Sequence, residues 1–340
     1  MKNYTLNELF DIMTAPSQRL TEDIKSINDN IMILGAGGKV GPSLAITAKR
    51  AFKAAGIDKE VYAVSLFDYP ETVNIMKDAG VTVIEADLSD PAQLEKLPDV
   101  KNIIYMVGKK FGTTGNQSLT WYINVILPSK VAERFPDSNI VVFSSGNVYG
   151  MEPLYSGGAT EEDELRPIGE YAQSCVGRER IMEYYSRKNN TPMLMFRLNY
   201  AIDLRYGVLY DIAKNVMDGT PVSLSQGVFN CIWQGDVCEY AIRSLLHTKT
   251  PPEILNVTSP EIYSVRYVAN EFGKRFGKKP VFDGQEEYQA LFSNTAKMVK
   301  LLGAPRVGLI EMIDMIADWM LNGGKAINAP THFEVTDGKF

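Results

Sequence analysis

The residues able to do chemistry fall in three short runs. Gly35-Ala36-Gly37-Gly38-Lys39-Val40-Gly41 follows the apolar run Ile31 to Leu34 and precedes a helical pattern through Leu44, Ala48 and Phe52. Glycines at such a junction permit a tight turn, and they let backbone amides approach a pyrophosphate at a helix N-terminus. Phe143-Ser144-Ser145-Gly146-Asn147-Val148-Tyr149-Gly150 offers a hydroxyl at Ser145. Tyr171-Ala172-Gln173-Ser174-Cys175 offers a phenol whose next position on the same helical face is a thiol. A hydroxyl and a phenol beside a bound dinucleotide suit hydride exchange at a carbinol carbon. The hydroxyl polarises the oxygen and the phenol moves its proton.

A lone Tyr has a pKa near ~10, so a neighbouring cation decides whether it acts as a base at neutral pH. Arg178 lies one turn beyond Cys175; it could reach back to Tyr171 or pair with Glu179 or Glu183. Lys109 and Lys110 open the loop Gly108-Lys109-Lys110-Phe111-Gly112-Thr113-Thr114-Gly115, where a cation would tune Tyr171 or bind an anionic substrate. Arg205 could fork onto a carboxylate or phosphate, or pair with Asp203 or Asp211. Trp121 and Trp233 could wall a sugar-like ring or simply pack. Cys175, with no His beside it, is expected to be an inert side chain. Ser65, after the run from Val61, could bond a ribose hydroxyl or a phosphate, which leaves NAD and NADP both open. Lys39 could meet a 2′-phosphate, and Asp87 could accept from an adenine amine or hold a turn.

The elements that must position these residues alternate. Apolar runs at 31–34, 61–66, 81–84, 103–107, 140–143 and 193–196 are separated by helical patterns, with a late strand at 254–257. Short apolar strands between helices predict an α/β fold with a doubly wound parallel sheet. Residues 1–29 read as a helical extension interrupted at Pro16, expected to pack on the outside. Residues 30–198 read as the dinucleotide-binding domain, and residues 199–340 mainly as a smaller C-terminal substrate lobe and helices at 263–276 and 306–321. The polar tail from Gly323 is expected to be partly mobile.

Composition narrows the function. The 340 residues carry a net charge of −6 with no basic tract, which argues against a nucleic-acid partner. No apolar run is long enough to span a bilayer, and residues 1–5 lack a signal-peptide core. Cys175, Cys231 and Cys238 make an odd set without a metal-ligand pattern, and only His247 and His332 occur. A reduced, cytoplasmic setting is expected, with no metal.

These residues together resemble an extended short-chain dehydrogenase/reductase of the NAD-dependent epimerase/dehydratase type. The resemblance covers roughly residues 30–260, and rests on the spaced glycines, Asp87-Leu88, Asn124, the 144–150 run, Tyr171, Arg197-Leu198-Asn199-Tyr200 and Asp236. It implies that Ser145 polarises the substrate oxygen and that Tyr171 transfers the proton. It also implies that Asn147 and Asn199 meet substrate, that Leu88 and Val107 line the cofactor, and that Asn124 is structural. Pairing into a homodimer through helices near 120–134 and 171–187 is implied as well.

Two departures stand out. The family Lys that follows the Tyr is Cys175 here, and a neutral thiol neither lowers the Tyr pKa nor bonds a ribose. The Arg that binds a diphosphate in nucleotide-sugar members is Phe229, so a smaller polar substrate is expected. The expected activity is an NAD(P)-dependent oxidoreductase or epimerase acting on a sugar or sugar acid. The rival is a dinucleotide-binding sensor or scaffold that lost catalysis with its Lys; a lyase would want an acid–base pair near Ser145 that is missing.

Overall fold

The computed structural model describes residues 4–67, 70–110, 112, 115–327 and 331–339. Phe111, Thr113 and Thr114, named above, lie outside them. Helix α1 (Leu6–Thr14) opens with a capping box in which Thr5 and Glu8 satisfy each other's free groups. Pro16 then breaks the pattern, and the short helix α2 (Gln18–Asp23) follows.

Seven parallel strands form the central sheet: β1 (Ile31–Leu34), β2 (Val61–Ser65), β3 (Thr82–Glu85), β4 (Asn102–Tyr105), β5 (Asn139–Ser145), β6 (Met193–Leu198) and β7 (Glu253–Val257). Their order is β7-β6-β5-β4-β1-β2-β3, which reverses direction between β1 and β4. Ligands of such sheets bind at that reversal, beyond the strands' C-terminal ends. Every residue of β1 and β4 is buried, as continuous apolar runs require of a sheet covered on both faces.

The pleat sends alternate residues to opposite faces. Ile31, Ile33, Ala63, Ile104, Val141 and Phe196 pack against α3 (Gly41–Ala54) and the helix Gln234–Arg243. Met32, Leu34, Val64, Ile103, Val142 and Met195 pack on the other face against Leu127–Arg134 and the long helix Gly169–Asn189. The lobe has its own core, built on Val208–Asp218, Val265–Phe276 and Leu309–Leu321.

Two expectations need amending. The N-terminal helices do not lie on the outside: Leu9 and Met13 enter the lobe core, while Phe10, Leu20 and Ile24 enter the sheet core. The segment therefore wedges the two together. The tail residues 331–339 are packed, with Thr331, Phe333 and Gly338 buried.

A buried ion pair ties the long helix to the sheet. Arg197 bonds Glu179 at 2.6 and 2.9 Å, and Ser144 donates to the same carboxylate at 2.6 Å. The Arg197 guanidinium also donates to the Tyr149 hydroxyl at 2.6 Å, and Tyr149 donates to Asn256 of β7 at 2.7 Å. Burial pushes the Tyr149 phenol up to about 12, which keeps it a donor. Glu179→Gln would strand the buried guanidinium. The expected loss is about 3–5 kcal/mol in urea unfolding; a loss under about 1 kcal/mol would show that the pair is dispensable.

Candidate active site

The glycine loop is built by two separate demands. Gly35 has φ +92°, and a Cβ there would lie 2.8 Å from the Val107 amide. A Cβ at Gly41 would lie 2.2 Å from the Ala36 carbonyl oxygen. The turn itself needs these two glycines. Gly38 is different: a Cβ there would meet nothing closer than 3.7 Å. Its face is open to an approaching group, at the N-terminus of α3, where amides and dipole favour an anion. Gly35, Gly38 and Gly41 thus fit a dinucleotide pyrophosphate. The Ser65 hydroxyl sits against Gly37, at the β2 side of the loop.

Lys39 turns the opposite way. Its Nζ lies 3.4 Å from the centroid of the Tyr206 ring, on the lobe side. A contact with a 2′-phosphate near Ser65 does not fit that direction. Burial, helped by the charge of Lys110, pushes Lys39 down to about 8. Asp87 is a turn residue: its carboxylate accepts from the Ser89 amide at 2.8 Å, and its own amide donates to Gln93 at 2.9 Å. Leu88 points into the sheet core, so its side chain is no cofactor contact, whereas Val107 lies beside Gly35.

Ser145 ends β5, and Tyr171 stands in the first turn of the helix Gly169–Asn189. The Ser145 hydroxyl donates to Asn147 Oδ1 at 3.1 Å and accepts from the Asn147 amide at 3.2 Å. It also hydrogen-bonds Tyr171. Burial holds the Tyr171 phenol well above its ordinary range, and Cys175 adds to this; Arg178 and the Ser145 bond act the other way. Tyr171 therefore stands as a neutral phenol, ready to donate. Cys175 is buried with Val148, Tyr149 and Ala159, and burial pushes its thiol up, as suits an inert packing group.

Arg178 pairs with neither Glu179 nor Glu183. It donates to the Phe143 carbonyl at 2.8 Å, to the Asn124 carbonyl at 3.2 Å and to Asn124 Oδ1 at 2.9 Å. Asn124, in a π-turn at Tyr122–Ile126, exchanges two hydrogen bonds with the Lys109 backbone at 2.8 and 3.0 Å and donates to Ser174 at 2.8 Å. The clamp fixes where the loop after β4 departs, and hence where Lys110 goes. The Lys110 Nζ lies 5.8 Å from the Tyr171 ring centroid. Its charge and the Cys175 thiol interact, so the ammonium enters the neighbourhood from which residue 175 withholds a cation. Burial pushes Lys110 down to about 8.

Asn199 is buried behind the Ser145 loop, close to Gly146, and donates to Asn230 at 3.1 Å. Arg205 takes the pairing with Asp203, at 2.6 and 3.0 Å, and lies over the Phe10 ring, so its guanidinium is already engaged. Trp233 is buried in the lobe core, and the Trp121 indole donates to Glu170 at 2.6 Å. Asp236 holds the Arg306 and Val307 amides at 3.0 and 3.2 Å. Phe229 is buried between Tyr200 and Tyr263.

Residues 31–203, just over half of the chain, match the NAD dependent epimerase/dehydratase family. The chain belongs to that family. Membership makes it an NAD-dependent enzyme of the epimerase/oxidoreductase type and sets the sensor reading behind. A curated relative from Escherichia coli O157:H7, N-acetyl-alpha-D-glucosaminyl-diphospho-ditrans,octacis-undecaprenol 4-epimerase, is 22% identical over 262 residues, 74% of each chain. UDP-glucose 4-epimerase of Thermus thermophilus, solved with NAD, superposes with a TM-score of 0.70 at 20% identity, covering 86% of this chain and 99% of that one. The UDP-Glc/GlcNAc 4-epimerase of Campylobacter jejuni gives 0.71 at 18% identity, covering 87% and 99%. Among the described residues no helix is long and apolar enough to cross a membrane.

Sequence reading missed the Arg178–Asn124 clamp, the Lys39–Tyr206 contact and the packed tail. Asn124 carried a family signal, but nothing local tied it to Arg178 across 54 positions.

Two measurements follow. Gly38→Val should abolish NAD binding in calorimetry while circular dichroism stays native, because only the ligand needs that face bare; equal affinity in both proteins refutes the loop. Lys110 has a folded pKa near 8, below its ordinary 10.5. The unfolded chain therefore binds more protons between those values, and stability gained from deprotonation rises through that window. Wild type should gain on Lys110→Met in denaturant titrations from pH 8 to about 10.5 and run parallel to it below pH 8; parallel curves throughout contradict the buried ammonium.

Proposed function

We infer that the enzyme exchanges a hydride at a carbinol or carbonyl carbon of a small polar substrate, a sugar or sugar acid, with Lys110 in place of the missing family Lys. NAD or NADP, when bound at Gly35, Gly38, Gly41 and Ser65, supplies the hydride acceptor or donor. The observation that carries the reading is the Lys110 ammonium 5.8 Å from the Tyr171 ring centroid, near enough for its charge to act on the Cys175 thiol. Ser145, held by Asn147, bonds the substrate oxygen; Tyr171 gives that oxygen a proton in reduction or takes one in oxidation. Taking a proton requires a phenolate, which the fixed Arg178 charge and Lys110 stabilise through space. Lys39, against Tyr206, adds positive charge on the lobe side, which suits an acidic substrate.

Phe229 supports a substrate without a diphosphate, because the position is apolar and buried. Against that stand the relatives, whose names carry sugar diphosphates. The exposed Trp121, Ile126 and Tyr184 on neighbouring helices support pairing into a homodimer. Three buried free thiols suit a reducing cytoplasm.

The test is single-turnover hydride transfer with sugars and sugar acids across pH. Tyr171→Phe should lower the rate at least about 100-fold with NAD affinity retained. Lys110→Met should lower oxidation about tenfold at pH 7, the effect of one unit in the Tyr171 pKa, and the deficit should shrink above pH 8 as wild-type Lys110 loses its proton. An unchanged rate in Tyr171→Phe would end the reading; an unchanged profile in Lys110→Met would end the role of Lys110.

A further inference from the structure

The C-terminal segment Thr331–Lys339 runs from the lobe to the helix that carries Tyr171. At the lobe end, the Thr331 amide donates to the Asp211 carboxylate at 2.8 Å, and the Thr331 hydroxyl bonds the same oxygen. Gln226 Nε2 donates to the Phe333 carbonyl, and Ser225 donates to the Glu334 carbonyl at 2.9 Å. The Phe333 side chain is buried, its ring 6.5 Å from that of Phe229. At the other end, backbone meets backbone. A Cβ on Gly338 would lie 2.4 Å from the Ile168 carbonyl oxygen, and a Cβ on Gly169 would lie 2.4 Å from the Gly338 carbonyl oxygen. Both are glycines with φ in the left-handed region, +73° and +80°. Tyr171 is two residues beyond Gly169. Between the anchors, Glu334 is near enough for its charge to act on Lys110 and Tyr200.

We propose that Thr331–Lys339 is the outer wall of the substrate cleft and the element that sets substrate size, closing the path along which a diphosphate group would extend past Phe229. This deepens the preceding reading and rests on it for the place of the cleft. A segment fastened at Asp211, Gln226 and Phe229 on one side and at Ile168–Gly169 on the other must cross the mouth between them. Phe333 seats the segment in the lobe core beside Phe229, and the residues that cross, Glu334 and Asp337 among them, offer a diphosphate no positive charge. Desolvating a diphosphate against such a surface is unfavourable. A small polar substrate held between Ser145, Tyr171 and Lys110 needs no room beyond it.

The probe is UDP-glucose, titrated calorimetrically in saturating NAD. Three proteins are compared: the full chain, a chain ending at Ile327, and Gly338→Val in the full chain. The valine lifts the far end of the wall and leaves Phe333 seated. The shortened chain should bind UDP-glucose at least about tenfold tighter than the full chain, and Gly338→Val at least about threefold tighter. Equal affinity in all three, or no gain in either variant, overturns the proposal. If the shortened chain loses its circular dichroism, the Gly338→Val result decides. If the full chain fails to bind NAD, the cofactor reading fails instead, and the same UDP-glucose comparison made without NAD still judges the wall.

Discussion

The guanidinium of Arg178 is the constraint on which the site depends. It is buried, and the groups it holds are carbonyls and an amide rather than an acid. One planar fork thereby fixes the end of β5 at Phe143, the π-turn at Asn124 and, through Asn124, the backbone of Lys109. It supplies donors to carbonyls that a dry interior would otherwise leave short of partners. Its charge acts on Tyr171 and Cys175, both of which it draws toward ionisation. Position and electrostatics therefore share one residue.

That arrangement accounts for a site with a neutral thiol where its family carries an ammonium. A cation one turn deeper, locked in place, cannot bond a ribose. It can bias a phenol and set the departure angle of a loop whose next residue, Lys110, brings an ammonium to Tyr171 from the side. The burial that raises the Tyr171 phenol also lowers Lys110 to about 8. Both shifts favour the uncharged forms, so a phenolate and an ammonium formed here gain most from each other.

Much of the sheet was legible because parallel strands covered on both faces are short uninterrupted apolar runs, and six of them sit between helical patterns. The glycine loop was legible because strand, glycines and helix occur in order. Ser145 and Tyr171 were legible as types, and the structure brings them into hydrogen-bond contact. Arg205 was legible only as alternatives, an anion contact or a pairing with Asp203 or Asp211, and the structure shows the Asp203 pairing. Leu88 misled because a residue beside a turn can still point into the core. The clamp and the tail were illegible for another reason. Arg178 with Asn124, and Gly338 with Gly169, are contacts between distant segments, and their carriers are one ordinary helical Arg and two ordinary glycines.

In the proposed site, Lys110 supplies the charge that residue 175 withholds. The direct measurement is the titration of Tyr171 in the NAD complex, followed by the ¹³Cζ resonance of labelled tyrosine and assigned with Tyr171→Phe. Lys110 is itself neutral where so high a phenol titrates, so the comparison is Lys110→Arg, charged throughout, against Lys110→Met: the Tyr171 midpoint should lie lower in the arginine variant. Superimposable titration curves in the two proteins would contradict it.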